Sequence, residues 1–185
     1  MVGKNPEYLE DVLSHFLKVK LKRDEYLLTE GEVCPSIYFV QSGLLQVLQV
    51  DKKGDEKTTD LIIKDNWFTD LGSFKNKIPS QLSVKAKKET IVYKIGHESF
   101  QTLMENVPKF AQAYISIIES KYKESIERIA AFNTLNSLDK IEWLYKFKPD
   151  FLLYVPDKLI SSYLGISKET YCRQKQNARI VANCQ

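Results

Sequence analysis

Apolar and polar residues follow two different periods along the chain. Between about residues 19 and 95, β-branched, leucine and aromatic residues form short runs that turn residues separate. Such runs are typical of strands, so we predict strands at residues 26–28, 36–40, 44–50, 58–63, 82–86 and 90–95. The Lys53-Gly54-Asp55 segment predicts a hairpin corner between two of them. Many short strands at this spacing indicate a β-sandwich or barrel.

On both sides of that stretch, apolar residues recur every three or four positions, which predicts helices. One covers Pro6 to about Lys18, a short one covers residues 96–106, and another covers Leu138 to about Lys148. The longest covers Pro108 to about Leu135. Its apolar stripe consists of Phe110, Tyr114, Ile117, Ile118, Tyr122, Ile126 and Ile129.

The predicted helix from Pro108 is so long that part of its apolar stripe requires a packing partner. A helix of about 28 residues is about 42 Å long at 1.5 Å per residue, which exceeds the width of a small domain. Part of the stripe therefore needs a partner outside the β-domain. A parallel pairing with the same helix of a second copy is the natural solution. Packing of the whole stripe against the β-domain is the alternative.

Residues 155–175 predict two short helices that meet at a tight corner. Leu159, Ile160 and Tyr163 recur at helical spacing, so the first of these helices has one buried face. Gly165 can adopt the positive φ that such a corner usually requires, and Ser167 suits the N-cap of the second helix. This is the layout of a helix-turn-helix, whose second helix enters the major groove of DNA. An ordinary helix pair with a solvated charged face is the alternative.

Charge along the chain gives weak support to the DNA-binding interpretation. The net charge of the whole chain, +3, equals that of residues 136–185, which contain eight Lys and Arg and five Asp and Glu. A local basic surface is the expected footprint of a DNA-binding protein, because phosphate contacts supply most of the non-specific affinity. On the predicted second helix, Arg173 can bind guanine and Glu169 can accept a hydrogen bond from cytosine.

Composition and cysteine usage exclude several other classes of protein. The chain is 43% hydrophobic, but no apolar run approaches the roughly 20 residues that span a bilayer. The N-terminus has no signal-peptide pattern, so we expect a cytoplasmic protein. The three cysteines are scattered without a C-x-x-C pair, which predicts neither a zinc site nor a disulfide framework. We find no catalytic triad, phosphate loop or metal-ligand spacing, and predict no enzyme, metal or cofactor.

The segment Ile160–Arg173, I-S-S-Y-L-G-I-S-K-E-T-Y-C-R, resembles the helix-turn-helix of the cyclic AMP receptor protein and fumarate–nitrate regulator family. The family pattern is close to I-A-x-x-L-G-I-S-x-E-T-x-S-R. This chain departs from it with Ser161 at the usual Ala and Cys172 at the usual Ser, and both residues are small. The resemblance implies a homodimeric transcription regulator that binds a palindromic site in double-stranded DNA. The residues that we expect to bind DNA are Ser167, Lys168, Glu169, Thr170, Arg173, Gln174 and Lys175. Of these, Lys168, Glu169 and Arg173 match the base-reading positions of the recognition helix in the family.

The earlier part of the chain resembles the same family. Glu30-Gly31-Glu32 and residues 38–43 match its two glycine corners, and residues 51–56 match its hairpin. The implied fold class is α+β, with an N-terminal double-stranded β-helix, or jelly-roll, that resembles a cyclic-nucleotide-binding domain. The expected divisions are the β-roll over residues 1–107, a dimerisation helix over 108–135 and a helix-turn-helix domain over 136–185.

The resemblance also identifies an altered effector pocket. In nucleotide-binding members, a short helix that begins Gly-Glu-Leu binds the ribose, and an Arg further along neutralises the cyclic phosphate. This chain has Thr69 at the Gly, Asp70 at the Glu and Ser80 at the Arg. A buried phosphate without a paired cation is costly, so we predict that cyclic AMP is not bound in the family manner. The expected degenerate pocket consists of Thr69, Asp70, Leu71, Ser80 and Gln81, and an unknown small-molecule effector stays open.

After the predicted second helix of the pair, only residues 178–185 remain. Family members usually add a β-hairpin wing at this point, so we expect the wing to be truncated or absent. The short remainder and the altered pocket leave an alternative function open. In that alternative, the chain is a ligand-binding or protein-interaction module that has lost specific DNA binding.

Overall fold

The computed structural model describes the backbone of residues 6–182 and the side chains of residues 10–176. Strands dominate the first half: α1 (Pro6–Ser14), β1 (Leu17–Leu21), β2 (Tyr26–Leu28), β3 (Ser36–Ser42), β4 (Leu44–Val50), β5 (Glu56–Ile63), β6 (Asn66–Phe68), α2 (Leu71–Asn76), β7 (Ser83–Ala86) and β8 (Thr90–Gly96). Helices form the second half: α3 (His97–Asn106), α4 (Pro108–Thr134), α5 (Ser137–Phe147), α6 (Phe151–Tyr154), α7 (Asp157–Leu164) and α8 (Lys168–Ala182). This division confirms the predicted α+β fold with an N-terminal β-roll.

Two four-stranded sheets form the β-domain, with strand orders β1-β8-β3-β6 and β2-β7-β4-β5. Strands β1 and β8 pair antiparallel, as do β4 and β7. Alternate side chains point into one core, in which Val40, Val84 and Val92 are fully buried. Burial of such a side chain contributes about 1.5–3 kcal/mol, so this core fixes the strands that flank the predicted pocket.

Gly43 makes the sharp connection between β3 and β4, at the second of the two expected glycine corners. Its φ is +111°, a value that residues with a Cβ atom rarely adopt. The Thr90 side chain lies against it, because the Leu44 backbone N–H donates a 3.1 Å hydrogen bond to Thr90 Oγ1. The predicted hairpin corner at Gly54 is also confirmed, with a φ of +86°.

The predicted extent of the first helix was wrong. Helix α1 ends at Ser14 rather than near Lys18, and β1 begins at Leu17. In β1, Lys18 and Lys20 are exposed while Leu21 is buried, so the segment follows the period of two that a strand requires. Leu17 fits both that period and the helical stripe, which explains the error. The short strand β6 was not predicted either.

Two compact units divide the chain. Residues up to Gln49 together with Ile62–Ile115 form the first, and Val50–Leu61 together with the residues from Ser116 onward form the second. In the second unit, the helical core contains Ile141, Leu144, Ile160, Leu164 and Tyr171, each at most 1% exposed.

The Val50–Leu61 segment is fastened to the helices of the second unit. Ser162 Oγ of α7 donates a 2.8 Å hydrogen bond to Thr58 Oγ1, and Arg128 of α4 donates to the Thr59 carbonyl oxygen. Arg128 also lies over the Tyr163 ring, 5.7 Å from its centroid. These contacts connect the segment both to the long helix and to the first helix of the predicted helix-turn-helix.

The segment after the predicted second helix continues α8 as far as Ala182, and residues 183–185 lie outside the described part. The expectation of a truncated wing therefore stays an expectation. Of the helices that the structure describes, none is both long and apolar enough to cross a membrane. Within the same residues, no group of three or more His, Cys, Asp or Glu side chains is placed to hold a metal ion.

Candidate nucleic-acid interface

The corner between α7 and α8 has the geometry that its sequence predicted. Gly165 ends α7 in the left-handed conformation, with φ 68° and ψ 31°. Its N–H donates to the carbonyl oxygens of Ser161 and Ser162, and the Ile166 N–H donates to the Ser161 carbonyl oxygen at 3.0 Å. These bonds satisfy carbonyl groups that the end of a helix leaves open. The chain therefore turns sharply between α7 and α8 within a few residues.

Ser167 caps the second helix. The Thr170 backbone N–H donates a 3.1 Å hydrogen bond to Ser167 Oγ, and Ser167 Oγ lies 2.9 Å from Thr170 Oγ1. This is the N-cap arrangement that the sequence predicted for Ser167. Both hydroxyl groups lie at the start of α8, beside the backbone N–H groups that a helix N-terminus presents to a phosphate.

One face of α8 is exposed and polar. Lys168, Glu169 and Arg173 of the predicted DNA-binding set are all exposed. Cys172 and Gln176 are exposed as well, and the sequence reasoning missed them. The spacing identifies them in retrospect: residues at i, i+3, i+4 and i+7 from Glu169 lie on one side of a helix. The exposed row of α8 therefore consists of Glu169, Cys172, Arg173 and Gln176.

Tyr171 and two of the predicted residues, Gln174 and Lys175, lie on the opposite side of α8. Tyr171 is fully buried, and Gln174 is half-buried with its Oε1 atom inside the protein. Lys175 Nζ lies 2.6 Å from Asp157 Oδ1 and 2.9 Å from Asp157 Oδ2. The structure thus brings Lys168, Glu169 and Arg173 together on the exposed side and places Gln174 and Lys175 toward the protein.

Three polar residues of the predicted effector pocket, Thr69, Asp70 and Ser80, form hydrogen bonds with groups of this chain. Asp70 caps α2, with Oδ1 accepting from the Ser73 backbone N–H at 3.1 Å. Asp70 Oδ2 accepts a 2.7 Å hydrogen bond from Ser80 Oγ, and Ser80 is 3% exposed. Thr69 Oγ1 donates to the Ser36 carbonyl oxygen at 3.1 Å. Leu71 and Gln81 lie at the surface.

The stripe of the long helix α4 separates into two parts. Near its start, the rings of Phe110 and Tyr114 meet the Phe100 ring of α3 edge to face, with centroids 5.9 Å and 4.9 Å away. Ile117 and Ile118 are half-buried. Further along, the side chains become exposed, with Tyr122 at 69%, Ile126 at 49% and Ile129 at 54%. Ile115, which was not in the predicted stripe, is also exposed.

Comparison with known proteins identifies regulators of transcription. Residues 18–107 match the cyclic nucleotide-binding domain family. The transcriptional activator Anr of Pseudomonas aeruginosa is 24% identical over 178 residues, which cover 88% of this chain and 72% of that protein. The cAMP-activated global transcriptional regulator CRP of Salmonella typhimurium is 24% identical over 176 residues, which cover 89% of this chain and 83% of that protein.

Solved structures with similar folds include two further regulators. FixK2 from Bradyrhizobium japonicum superposes with a TM-score of 0.76 at 14% identity, covering 90% of this chain and 86% of that one. The c-di-GMP-responsive global regulator CLP of Xanthomonas campestris gives 0.70 at 13% identity, covering 96% and 93%. At these identities the structures establish a similar fold over most of both chains.

Proposed function

This chain belongs to the family of the cyclic AMP receptor protein and the fumarate–nitrate regulator, and we propose that it is a cytoplasmic, homodimeric regulator that binds double-stranded DNA through α8. The observation that carries the proposal is the corner at Gly165, followed by the Ser167 cap and a helix with an exposed polar row. In a helix-turn-helix, the second helix enters the major groove with its N-terminal residues toward the bases.

The exposed residues of α8 have chemistry suited to reading base pairs. The Arg173 guanidinium can donate two parallel hydrogen bonds to guanine O6 and N7, and the Glu169 carboxylate can accept one from cytosine N4. Lys168, at the first position of α8, can neutralise a phosphate. Gln176, on the same row, can pair with adenine. Gln174 and Lys175 are left out of this set because the structure turns them toward the protein.

The exposed part of α4 supports a homodimer. Ile115, Tyr122 and Ile129 are spaced by seven residues, the period of a two-stranded coiled coil, and all three are exposed. Pairing of this face with a second copy would bury it and place two α8 helices on opposite sides of a two-fold axis. Such dimers bind half-sites about 34 Å apart, so the expected operator is a palindrome.

The hydrogen bonds of Asp70 support a regulator that cyclic AMP does not control in the family manner. Both carboxylate oxygens accept hydrogen bonds from groups of this chain, and Ser80 brings no positive charge to the position of the family Arg. Displacing these bonds to bury a phosphate would leave its charge without a paired cation, which is unfavourable. A different effector can be sought once an operator is known.

Selection of a randomised duplex library on the purified protein tests the proposal. We expect an enriched palindrome with half-sites about one helical turn apart, and an affinity that falls steeply with salt because phosphate contacts release counterions. No enrichment, together with an affinity for duplex DNA that does not change with salt, would refute DNA binding. That result would favour the ligand-binding or protein-interaction alternative.

A further inference from the structure

Lys175 and Asp157 form an ion pair between the two helices of the proposed DNA-binding motif. Lys175 Nζ lies within 2.9 Å of both carboxylate oxygens of Asp157, and 5.6 Å from the centroid of the buried Tyr171 ring. The Lys175 side chain is 21% exposed and that of Asp157 is 39% exposed. An ammonium group has three N–H donors, and two of them are directed at Asp157.

The ion pair and the corner lie at opposite ends of α7. Asp157 is the first residue of α7, and Gly165 directly follows its last residue, Leu164. Lys175 lies eight positions after the Ser167 cap, a rise of about 12 Å along α8. The corner holds the start of α8, and the fully buried Tyr171 packs its middle into the helical core, whereas Lys175 lies further along the helix. The ion pair joins this later part of α8 to the first residue of α7.

We propose that Asp157 and Lys175 are a positioning pair that sets the direction of the recognition helix, and that Lys175 does not contact DNA. A pivot of about 10° at the corner moves a group 12 Å along α8 by about 2 Å. Hydrogen bonds to base edges tolerate only a few tenths of an ångström, so such a pivot breaks the contacts of Arg173 and Gln176. The inference rests on the proposed DNA binding and assigns Lys175 a role different from phosphate contact.

Four variants of the full chain distinguish positioning from phosphate contact: Lys175→Gln, Asp157→Asn, the combination of the two, and the exchange Asp157→Lys with Lys175→Glu. Each is titrated with the palindrome that the wild type enriches and with an unrelated duplex, at several salt concentrations. Lys168→Gln is the matched control, because Lys168 is exposed on the same helix. Melting temperatures are measured in parallel.

For a positioning pair, each single variant binds the palindrome on the order of tenfold more weakly, a loss comparable to that of a mismatched base pair. Affinity for the unrelated duplex and the salt slope stay unchanged. The combined variant binds the palindrome no more weakly than either single variant, because each single substitution already removes the same Asp157–Lys175 interaction. The exchange variant recovers binding. Lys168→Gln, in contrast, reduces the salt slope by about 0.9.

Three results would overturn the inference. A salt slope reduced by about 0.9 in Lys175→Gln, with Asp157→Asn binding normally, would identify Lys175 as a phosphate contact. Lower melting temperatures with unchanged affinities would show that the pair only stabilises the fold. If the wild type enriches no duplex at all, the proposed function fails and the inference fails with it, and this is seen before any variant is made.

Discussion

Ser80 Oγ donates a 2.7 Å hydrogen bond to Asp70 Oδ2, so the two residues that the family resemblance predicts at the phosphate-binding and ribose-binding positions bind each other. The other carboxylate oxygen of Asp70 accepts from the Ser73 backbone N–H and caps α2. Ser80 is also an acceptor, because the Leu82 backbone N–H donates to its Oγ at 3.0 Å. A nucleotide at this place would have to replace several bonds that the chain already makes.

Cyclic AMP should therefore leave the protein unchanged. We expect neither a rise in melting temperature nor tighter operator binding when cyclic AMP is added at millimolar concentration. A ligand at 100 times its dissociation constant would stabilise the native state by about 2.7 kcal/mol, which a melting curve detects. The cAMP-activated regulator CRP of Salmonella typhimurium is the positive control. A concentration-dependent rise in the melting temperature of this protein would contradict the prediction.

Arg173 should contribute most of the base-specific binding. Replacing it with Ala removes a guanidinium that can hold one guanine by two hydrogen bonds, so we expect a loss of about 1–3 kcal/mol and relaxed preference at one base pair of each half-site. Lys52→Ala, at an exposed lysine outside the helix-turn-helix, is the control and should bind normally. Titration of the enriched palindrome and its single-base variants measures both effects. Unchanged binding by Arg173→Ala would exclude α8 as the recognition helix.

The features of the α7–α8 motif that the sequence predicted correctly are those that depend only on neighbouring residues. The conformation of Gly165 and the cap at Ser167 depend on residues within a few positions, and both were predicted correctly. The surroundings of Lys175 depend on Asp157, which lies 18 residues earlier in the chain. A single sequence shows that both are charged but not that they meet. Lys175 was consequently grouped with the DNA-binding residues because of its charge and its place on the predicted second helix.

The same distinction applies to the β-domain. The positions of most strands followed from short runs of β-branched and aromatic residues between turn residues. Strand β1 was missed because Leu17 fits the predicted helical stripe as well as a strand. The mutual bond of Asp70 and Ser80 joins residues ten positions apart through the fold of α2 and the segment after it. The resemblance to the family predicted that Ser80 replaces the cationic Arg. The structure adds that both carboxylate oxygens of Asp70 already accept hydrogen bonds within the chain.

Tyr122 should lie in the dimer interface. Replacing it with Glu would place two negative charges near the two-fold axis of an apolar contact. We expect the dimer to weaken by about 3 kcal/mol, more than a hundredfold in its dissociation constant. Sedimentation equilibrium measures the change. Lys123→Gln is the control, because Lys123 is exposed on the neighbouring face of α4. Equal dimer stability in both variants would place the interface elsewhere.

Gly43 should be more sensitive to substitution than the other glycines with positive φ. A Cβ atom at Gly43 would lie 2.3 Å from Thr90 Oγ1 and 2.6 Å from Thr90 Cα, and the backbone atom cannot move aside cheaply. We expect Gly43→Ala to lower the free energy of unfolding by about 3 kcal/mol or more. Gly54 also has a positive φ, +86°, but a Cβ atom there would meet no atom within 4 Å, so Gly54→Ala should cost only about 1–2 kcal/mol. Urea unfolding that gives equal losses would contradict the assigned clash.

Glu124 should make the stability of the second unit depend on pH. Burial alone would raise the pKa of Glu124, but the hydrogen bond from Lys148 and the charges of Lys148 and Lys121 hold it below the ordinary value of 4.5. Because the folded pKa is the lower one, the stabilisation is fully present above pH 4.5 and is lost as the pH falls through the folded pKa. Glu124→Gln should therefore lower the free energy of unfolding by about 1 kcal/mol at pH 7.

The difference in unfolding free energy between wild type and Glu124→Gln should shrink as the pH is lowered below 4.5, because both side chains are then uncharged. Urea unfolding at a series of pH values measures it. Glu127→Gln, at a more exposed glutamate of the same helix, is the control and should stay within about 0.5 kcal/mol of wild type. A difference between wild type and Glu124→Gln that stays constant from pH 7 to pH 3 would show that the ionic contacts with Lys148 and Lys121 do not stabilise the fold. The effect of the substitution would then come from the packing of the side chain.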